Sequence, residues 1–242
     1  KIKNNIYGFE TKYSISDKTL IIDPVPVRLW GTYYAGNNSE YSTDICNDKN
    51  NNVYISGYTS STTNIATSGS FPVPYYYVNG FIAKFDSNGT RIWGVYYSTT
   101  PSTIKVDSNE NLYFTGKTWG ETNVSTPGSH QPLHAEYDDA FLVKLNSSGI
   151  REWGTYYGGI SADKGNDISF DSDNNVYLVG VTGSYGNIAT SNTHQPSHAP
   201  GYLDDDGFIA KFTTQGVRVW GTYFGGTDGD QIFSSNISDD GF

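Results

Sequence analysis

Among 242 residues there is one cysteine, Cys46, so no disulfide can form within the chain. It sits in a short apolar run with Ile45 and reads as a small core residue rather than a nucleophile. Methionine is absent, and the chain opens on Lys1 with no signal peptide, so the expectation is a processed or excised piece of a longer protein. Basic residues are scarce, 15 Lys and Arg against 25 Asp and Glu, for a formal net charge of −10. A nucleic-acid-binding domain carries a clustered basic patch, and none is visible. The same deficit disfavours an anionic membrane surface, and the acidity is read as serving solubility. No run of 18 or more apolar residues occurs, so no helix is expected to span a membrane. No segment sustains a 3.6-residue apolar period, which argues against a helical fold. Gly-x-Ser-x-Gly is also missing, and with it the local signature of a serine hydrolase.

The abundant residues are 27 Gly, 20 Tyr, 12 Phe and 5 Trp, a composition that fits a turn-rich all-β chain. One aromatic stretch recurs: Trp30-Gly31-Thr32-Tyr33-Tyr34, Trp93-Gly94-Val95-Tyr96-Tyr97, Trp153-Gly154-Thr155-Tyr156-Tyr157 and Trp220-Gly221-Thr222-Tyr223-Phe224. The intervals are 63, 60 and 67 residues. A strand-like run at a near-constant interval marks a chain built from copies of one supersecondary unit, which must pack on one another to bury their apolar faces. After each Trp strand comes a Gly-rich or polar turn, then a short strand (43–46, 103–106, 167–170, 231–234). An Asx-rich turn follows, then a second strand (53–57, 112–116, 176–180), a long polar loop, and a third strand (80–85, 140–145, 207–212). A tight Gly turn leads into the next Trp strand. The unit is therefore four antiparallel strands in about 60 residues, the anatomy of a β-propeller blade. A solenoid or a string of small sandwiches is the competing all-β architecture.

The Trp-Gly-Thr-Tyr-Tyr-Gly-Gly strand, the Asp-x-x-x-Asn-x-Tyr turn, the Thr-x-Asn-Ile-Ala-Thr loop at 62–67 and the Phe-Ile-Ala-Lys-Phe strand resemble the SBBP family of bacterial β-propeller repeats. Residues 7–29 resemble the segment that precedes the first such repeat. The resemblance implies a propeller module of a large secreted or surface protein of Bacteroidetes-like and other bacteria. Such proteins often carry adhesive modules and a C-terminal sorting domain of type IX secretion. The implied partners are other domains of the parent, surface proteins or glycans, in an extracellular setting or on the bacterial cell surface. A fold does not fix a function, so the resemblance implies no activity. Repeat two departs from the pattern: it has Ser98-Thr99-Thr100 in place of Gly-Gly, and its innermost strand lacks the preceding Asp.

The domain reading is 1–29 as lead-in strands and 30–242 as repeats, the last one cut short. Strands are expected at 6–9, 19–23 and 29–34. With the innermost strand at 231–234 they amount to nearly one blade, so the chain is either an arc of a larger propeller or a small four-bladed ring. The preferred reading is the arc.

Candidate sites are few. His130-Gln131-Pro132-x-His134 recurs as His194-Gln195-Pro196-x-His198, but the prolines disfavour the helix that would align the two histidines on a metal. Acidic clusters at Asp138-Asp139, Asp204-Asp205-Asp206, 107–110 and Asp171-Ser172-Asp173 have the oxygen-rich character that calcium prefers. A β-turn with a capped strand start is the preferred explanation. No cofactor is expected; calcium in an acidic turn and zinc or copper at the histidines are the ions weighed, and Asp171, Asp173, His194 and His198 are the metal candidates. The repeated tryptophans are expected between blades. Trp119 and Tyr75-Tyr76-Tyr77, which have no counterparts in the other repeats, are the candidates for exposed aromatics that stack on a sugar or a partner. The resulting expectation is a non-catalytic scaffold or binding module. The alternative is a pore-centred, metal-dependent enzyme of the lyase or lactonase kind.

Overall fold

The computed structural model describes residues 28–67, 79–118, 123–201 and 205–238. The chain divides into two units, Lys1–Gly31 and Thr32–Phe242. Of the first, only 28–31 are described, and they carry no regular structure. The strands expected at 6–9 and 19–23 lie outside the described residues, as do Trp119, Tyr75, Tyr76 and Tyr77.

The second unit is all-β. Its twelve described strands form three four-stranded antiparallel sheets, each in sequence order. Blade 1 is β1 (Glu40–Asn47), β2 (Val53–Thr59), β3 (Asn79–Phe85) and β4 (Arg91–Tyr97). Blade 2 is β5 (Thr100–Val106), β6 (Leu112–Lys117), β7 (Ala140–Leu145) and β8 (Arg151–Tyr157). Blade 3 is β9 (Asp163–Phe170), β10 (Val176–Thr182), β11 (Asp206–Phe212) and β12 (Arg218–Phe224). The first strand of each blade meets the first strand of the next, β1 against β5 and β5 against β9, while the outer strands fan away. This is a propeller arc, and among the described residues no strand closes it. The first Trp run corrects the sequence reading: 30–34 form no strand, Trp30 is 36% exposed and Tyr33 fully so. Residues 32–34 pair with none of the described strands.

Alternation along each strand feeds two different cores. In β6, Leu112 and Phe114 face blade 1, while Tyr113 between them faces blade 3. In β7, Phe141 and Val143 face one seam and Ala140 and Leu142 the other. A blade with neighbours on both sides is buried on both faces, which is why β7 is buried at every position and reads as an apolar run broken only by Lys144. The blades repeat in register: Lys84 pairs with Trp93, Lys144 with Trp153 and Lys211 with Trp220 across the outer two strands. Each indole meets a tyrosine of its own blade edge-on at about 6 Å, a geometry that contributes roughly 0.5–1.5 kcal/mol beyond area burial.

Trp93 and Trp153 fulfil the expected inter-blade role. The Nε1 of Trp93 donates to Ser147 O of blade 2 at 3.1 Å, and that of Trp153 to Thr214 O of blade 3 at 3.0 Å. Trp220 has no such partner among the described residues, because no described blade follows blade 3. Each innermost strand also bulges by one residue, at Thr43, Ser102 and Asn166. A bulge re-aims the residue that follows it, and here that residue is Asp44, Thr103 or Asp167.

The C-terminal segment departs from the expected register. Residues 225–238 form no strand, but they run along blade 3. Ile232 N donates to Gly180 O at 3.3 Å, and Asn166 Nδ2 donates to Ile232 O at 3.0 Å. Ser234 Oγ and Ser235 N both donate to Asp167 Oδ2, as Thr103 Oγ1 and Ile104 N do to Asp44 Oδ2. The innermost-strand position thus starts at Ser234 rather than at 231. The segment has one hydrogen-bonded edge, where a ladder needs two strands.

Candidate functional site

The innermost strands and the C-terminal segment carry a belt of hydroxyls and carboxylates: Asp44, Thr103 and Asp167 on the strands and Ser234 on the segment. Asp44 Oδ2 accepts from Thr103 Oγ1 at 2.7 Å and Ile104 N at 2.9 Å, while its Oδ1 accepts from Ile45 N. Asp167 Oδ1 faces Thr103 Oγ1 at 3.5 Å and Lys105 Nζ at 3.8 Å, and its Oδ2 takes the two serine donors. These carboxylates are latches between successive blades, with their lone pairs committed to protein donors.

The calcium candidates resolve into turns. Asp171 Oδ1 accepts from Asp173 N and Asn175 N, and its Oδ2 from Asn175 Nδ2 and, at 2.8 Å, Lys211 Nζ. Burial works against its charge, but the bonds from Lys211 and Asn175 outweigh it and hold the carboxyl below the usual carboxylate range. Asp48 and Asp107 cap the equivalent turns in the same way. A residue at positive φ closes each turn: Asn51, Glu110 or Asn174. Asp173 is exposed and does not join Asp171 around a common centre. Among the described residues no group of three or more His, Cys, Asp or Glu side chains could hold a metal ion.

The histidines of the repeated loop motif are also placed apart. His130 packs against Tyr157 and against Phe212 of blade 3, and burial, aided by Arg218, lowers its pKa to about 4. It is therefore neutral under ordinary conditions. His194, its counterpart, is exposed beside Phe224. His134 Nε2 pairs with Thr118 Oγ1 at 2.9 Å. His198 is buried; its Nδ1 lies 2.8 Å from Ala199 O and 3.7 Å from Asp206 Oδ2, and its ring stacks on Tyr185 at 4.3 Å. The residue that matters most in the motif is the glutamine. Gln131 Nε2 donates to Asp139 Oδ2 and its Oε1 accepts from Gly158 N, both at 3.0 Å; Gln195 does the same for Asp206 and Gly225.

The long loops between second and third strands are held by one repeated device. Arg91, Arg151 and Arg218 each direct Nη1 to two successive carbonyls, those of 64–65, 123–124 and 187–188. The second residue of each pair, Ile65, Val124 or Ile188, is buried. Its carbonyl stands 2.2–2.3 Å from where a Cβ would sit on Gly94, Gly154 or Gly221. This close approach explains the glycine after Trp93, Trp153 and Trp220. Cys46 lies half-buried against the first core, with burial pushing its thiol up to about 12.

Between blades 2 and 3 these loops frame a cleft of about 730 Å³, bounded by residues 126–130, Lys144, Glu152, Trp153 and 214–218. Lys144 Nζ and Glu152 Oε2 pair at 2.8 Å at its rim. The same loops expose Leu133 (78%), Tyr137 (63%) and Tyr185 (60%). Sequence reasoning passed over both tyrosines. The signal was present, since neither belongs to the repeated pattern, but their exposure is a property of the folded loop.

At the seam of blades 2 and 3, Asp139, at the start of β7, and Asp163, at the start of β9, flank Gly158. A methyl group on Gly158 would stand 2.4 Å from both Asp139 Oδ1 and Asp163 Oδ2.

No curated protein matches the chain. The family model of the SBBP β-propeller repeat matches residues 90–123 and 152–188. Each match takes in the Trp strand of one blade and the first two strands of the next, so the unit of sequence spans a seam. Over these two stretches the chain matches the SBBP β-propeller repeat, and the four-stranded blades around them have the fold that the match implies.

Proposed function

We propose that this propeller module is a non-catalytic scaffold within a larger secreted or surface protein of a bacterium. Its partner, another protein or a glycan, is engaged by the loops between second and third strands. The observation that carries the reading is the exposure of Leu133, Tyr137 and Tyr185 on loops of the same kind, at one end of adjacent blades. Tyrosine gives a flat apolar face and a polar tip at low entropic cost, which suits sugar rings and protein surfaces alike. The loops are rigidly seated through Arg151, Arg218 and the buried Val124 and Ile188, so the aromatic rings are presented by a preorganised frame. The reading calls for no cofactor. The belt carboxylates and the loop histidines that a lyase or lactonase would draw on are engaged in inter-blade and loop contacts.

The test is ¹⁵N shift mapping of the protein against a panel of bacterial-surface oligosaccharides and candidate partner domains. Expected are shifts confined to 123–139 and 183–201, with affinity falling at least tenfold in Tyr137→Ala/Tyr185→Ala. Turnover of a lactone or polysaccharide that disappears in His198→Ala would overturn the scaffold reading in favour of an enzyme.

A further inference from the structure

The seam of blades 2 and 3 holds two carboxyl groups that converge on one point. Asp139 is fully buried and Asp163 is 2% exposed. Asp139 Oδ2 is engaged by Gln131 Nε2 and Ala135 N, and Asp163 Oδ2 by Gly159 N and Ser184 Oγ. The Oδ1 atoms of both are buried without a hydrogen-bond partner. Asp139 Oδ1 and Asp163 Oδ2 each lie 2.4 Å from the same position beside Gly158, so they are less than twice that distance apart. Two like charges that close, shielded from water, are mutually unfavourable, and one proton held between them removes the conflict.

The acid pair recurs as Asp206 and Asp230 beside Gly225, and the seam of blades 1 and 2 shows what takes its place. In blade 1, Asn79 pairs with Thr59 as Asp206 does with Thr182, and Thr118 bonds Asp139 in the same way. In blade 2, Thr99 precedes β5 where Asp163 opens β9. The seam of blades 1 and 2 therefore has Asn79 and Thr99 where the next has Asp139 and Asp163. Both acids are replaced together, by neutral groups that can donate and accept. A site built for a cation would lose it there, whereas a proton-sharing pair is mimicked by an amide and a hydroxyl. No third acid or histidine completes a metal shell among the described residues.

We propose that Asp139 and Asp163 share a single proton across the seam, making the junction of blades 2 and 3 a pH-sensitive joint that tightens in acid and loosens as the proton leaves. The titratable and charged groups facing the pair are His134 and Asp138 from the loop before β7, Asp138 being bridged to Lys117 at 3.2 Å, and the phenols of Tyr157 and Tyr223 from β8 and β12. None of these is a fixed cation in contact with the pair. Burial raises both carboxyls; Asp163 reaches about 6, with the charge of Asp139 adding to the effect. An acid whose folded pKa lies above its unfolded one near 3.9 stabilises the fold below that unfolded value, and the contribution is lost as pH rises through the folded value. The window runs from about pH 4 to 6.

The experiment is urea unfolding from pH 4 to 8 of the wild type and of Asp139→Asn/Asp163→Thr, which copies the Asn79 and Thr99 pair. Relative to the variant, the wild-type folding equilibrium constant should fall roughly a hundredfold across the window, two pKa units of linkage. Parallel profiles would overturn the proposal, as would calcium restoring the wild type, but not the variant, at pH 8, since the pair would then be a cation site. Direct ¹³C titration of the two carboxyls in the wild type decides the matter even if the variant fails to fold. One of them should titrate near 6, and both titrating below 4.5 would refute a shared proton.

Discussion

Replacing Gly154 by alanine tests whether the glycine of the Trp-Gly pair is required by the loop that packs over it. The new methyl would lie 2.2 Å from Val124 O, far inside contact distance, and 3.2 Å from both Val124 C and Val143 Cγ2. The nearest atom is backbone, so the 123–126 loop has to withdraw. That movement breaks the 2.9 Å bond from Arg151 Nη1 to Val124 O and strains the three bonds joining Thr126 to Gly154. Each lost hydrogen bond costs about 0.5–1.5 kcal/mol. It also draws Val124, 1% exposed, partly out of the first core, and full exposure of such a side chain costs about 1.5–3 kcal/mol. Against this, alanine reduces the entropy of the unfolded chain and returns about 0.4–1 kcal/mol. The expected net loss is about 3 kcal/mol, read from urea midpoints at unchanged slope. Gly94→Ala and Gly221→Ala should behave alike, since their methyl groups would meet Ile65 O and Ile188 O at 2.3 Å. A neutral or stabilised Gly154→Ala would show that the loop yields freely and that the glycine has another cause.

Asp44→Ala strips the latch between blades 1 and 2 and leaves Ile104 N without its acceptor; a loss of about 1–3 kcal/mol is expected, with faster amide exchange at Ile104, and an unchanged exchange rate there would contradict the latch. Asp171→Asn tests the turn cap: because the folded carboxyl titrates below its unfolded value, the unfolded chain binds more protons in the window and stability rises with pH through it. The wild-type advantage over Asp171→Asn should thus be present above about pH 4 and fade as pH falls further, and an advantage independent of pH would show that the Lys211 contact is not electrostatic.

The blade was legible because it is written in short-range chemistry. The Trp strands, the Asx turns and the tight glycine turns each satisfy a backbone demand within a few residues, so spacing alone exposed three four-stranded sheets. What lay across a seam was not legible. Asp139 and Asp163 belong to different blades, and in the chain each passes for turn chemistry or for half of a calcium loop. Gln131 is flanked by two histidines that attract a metal reading, yet the amide is the group that ties Asp139 to Gly158. The one-residue bulges at Thr43, Ser102 and Asn166 leave no mark in composition, and the C-terminal segment lies three residues off the expected register. Trp30 shares every local feature of Trp93, but a strand is defined by its neighbours.

The tryptophan clasp has a direction. Trp93 of blade 1 reaches forward to Ser147, and Trp153 of blade 2 reaches forward to Thr214. Asp44 likewise receives Thr103 from the blade ahead, and Asp167 receives Ser234. The two flanks of the arc are therefore plug and socket, not mirror images. Two copies of the module cannot meet through the same flank by a twofold axis; any union using these contacts must run nose to tail. In an engineered fusion, swapping the order of two blades would still set each plug against a socket, so these contacts fix the direction of the array and not the order of its blades.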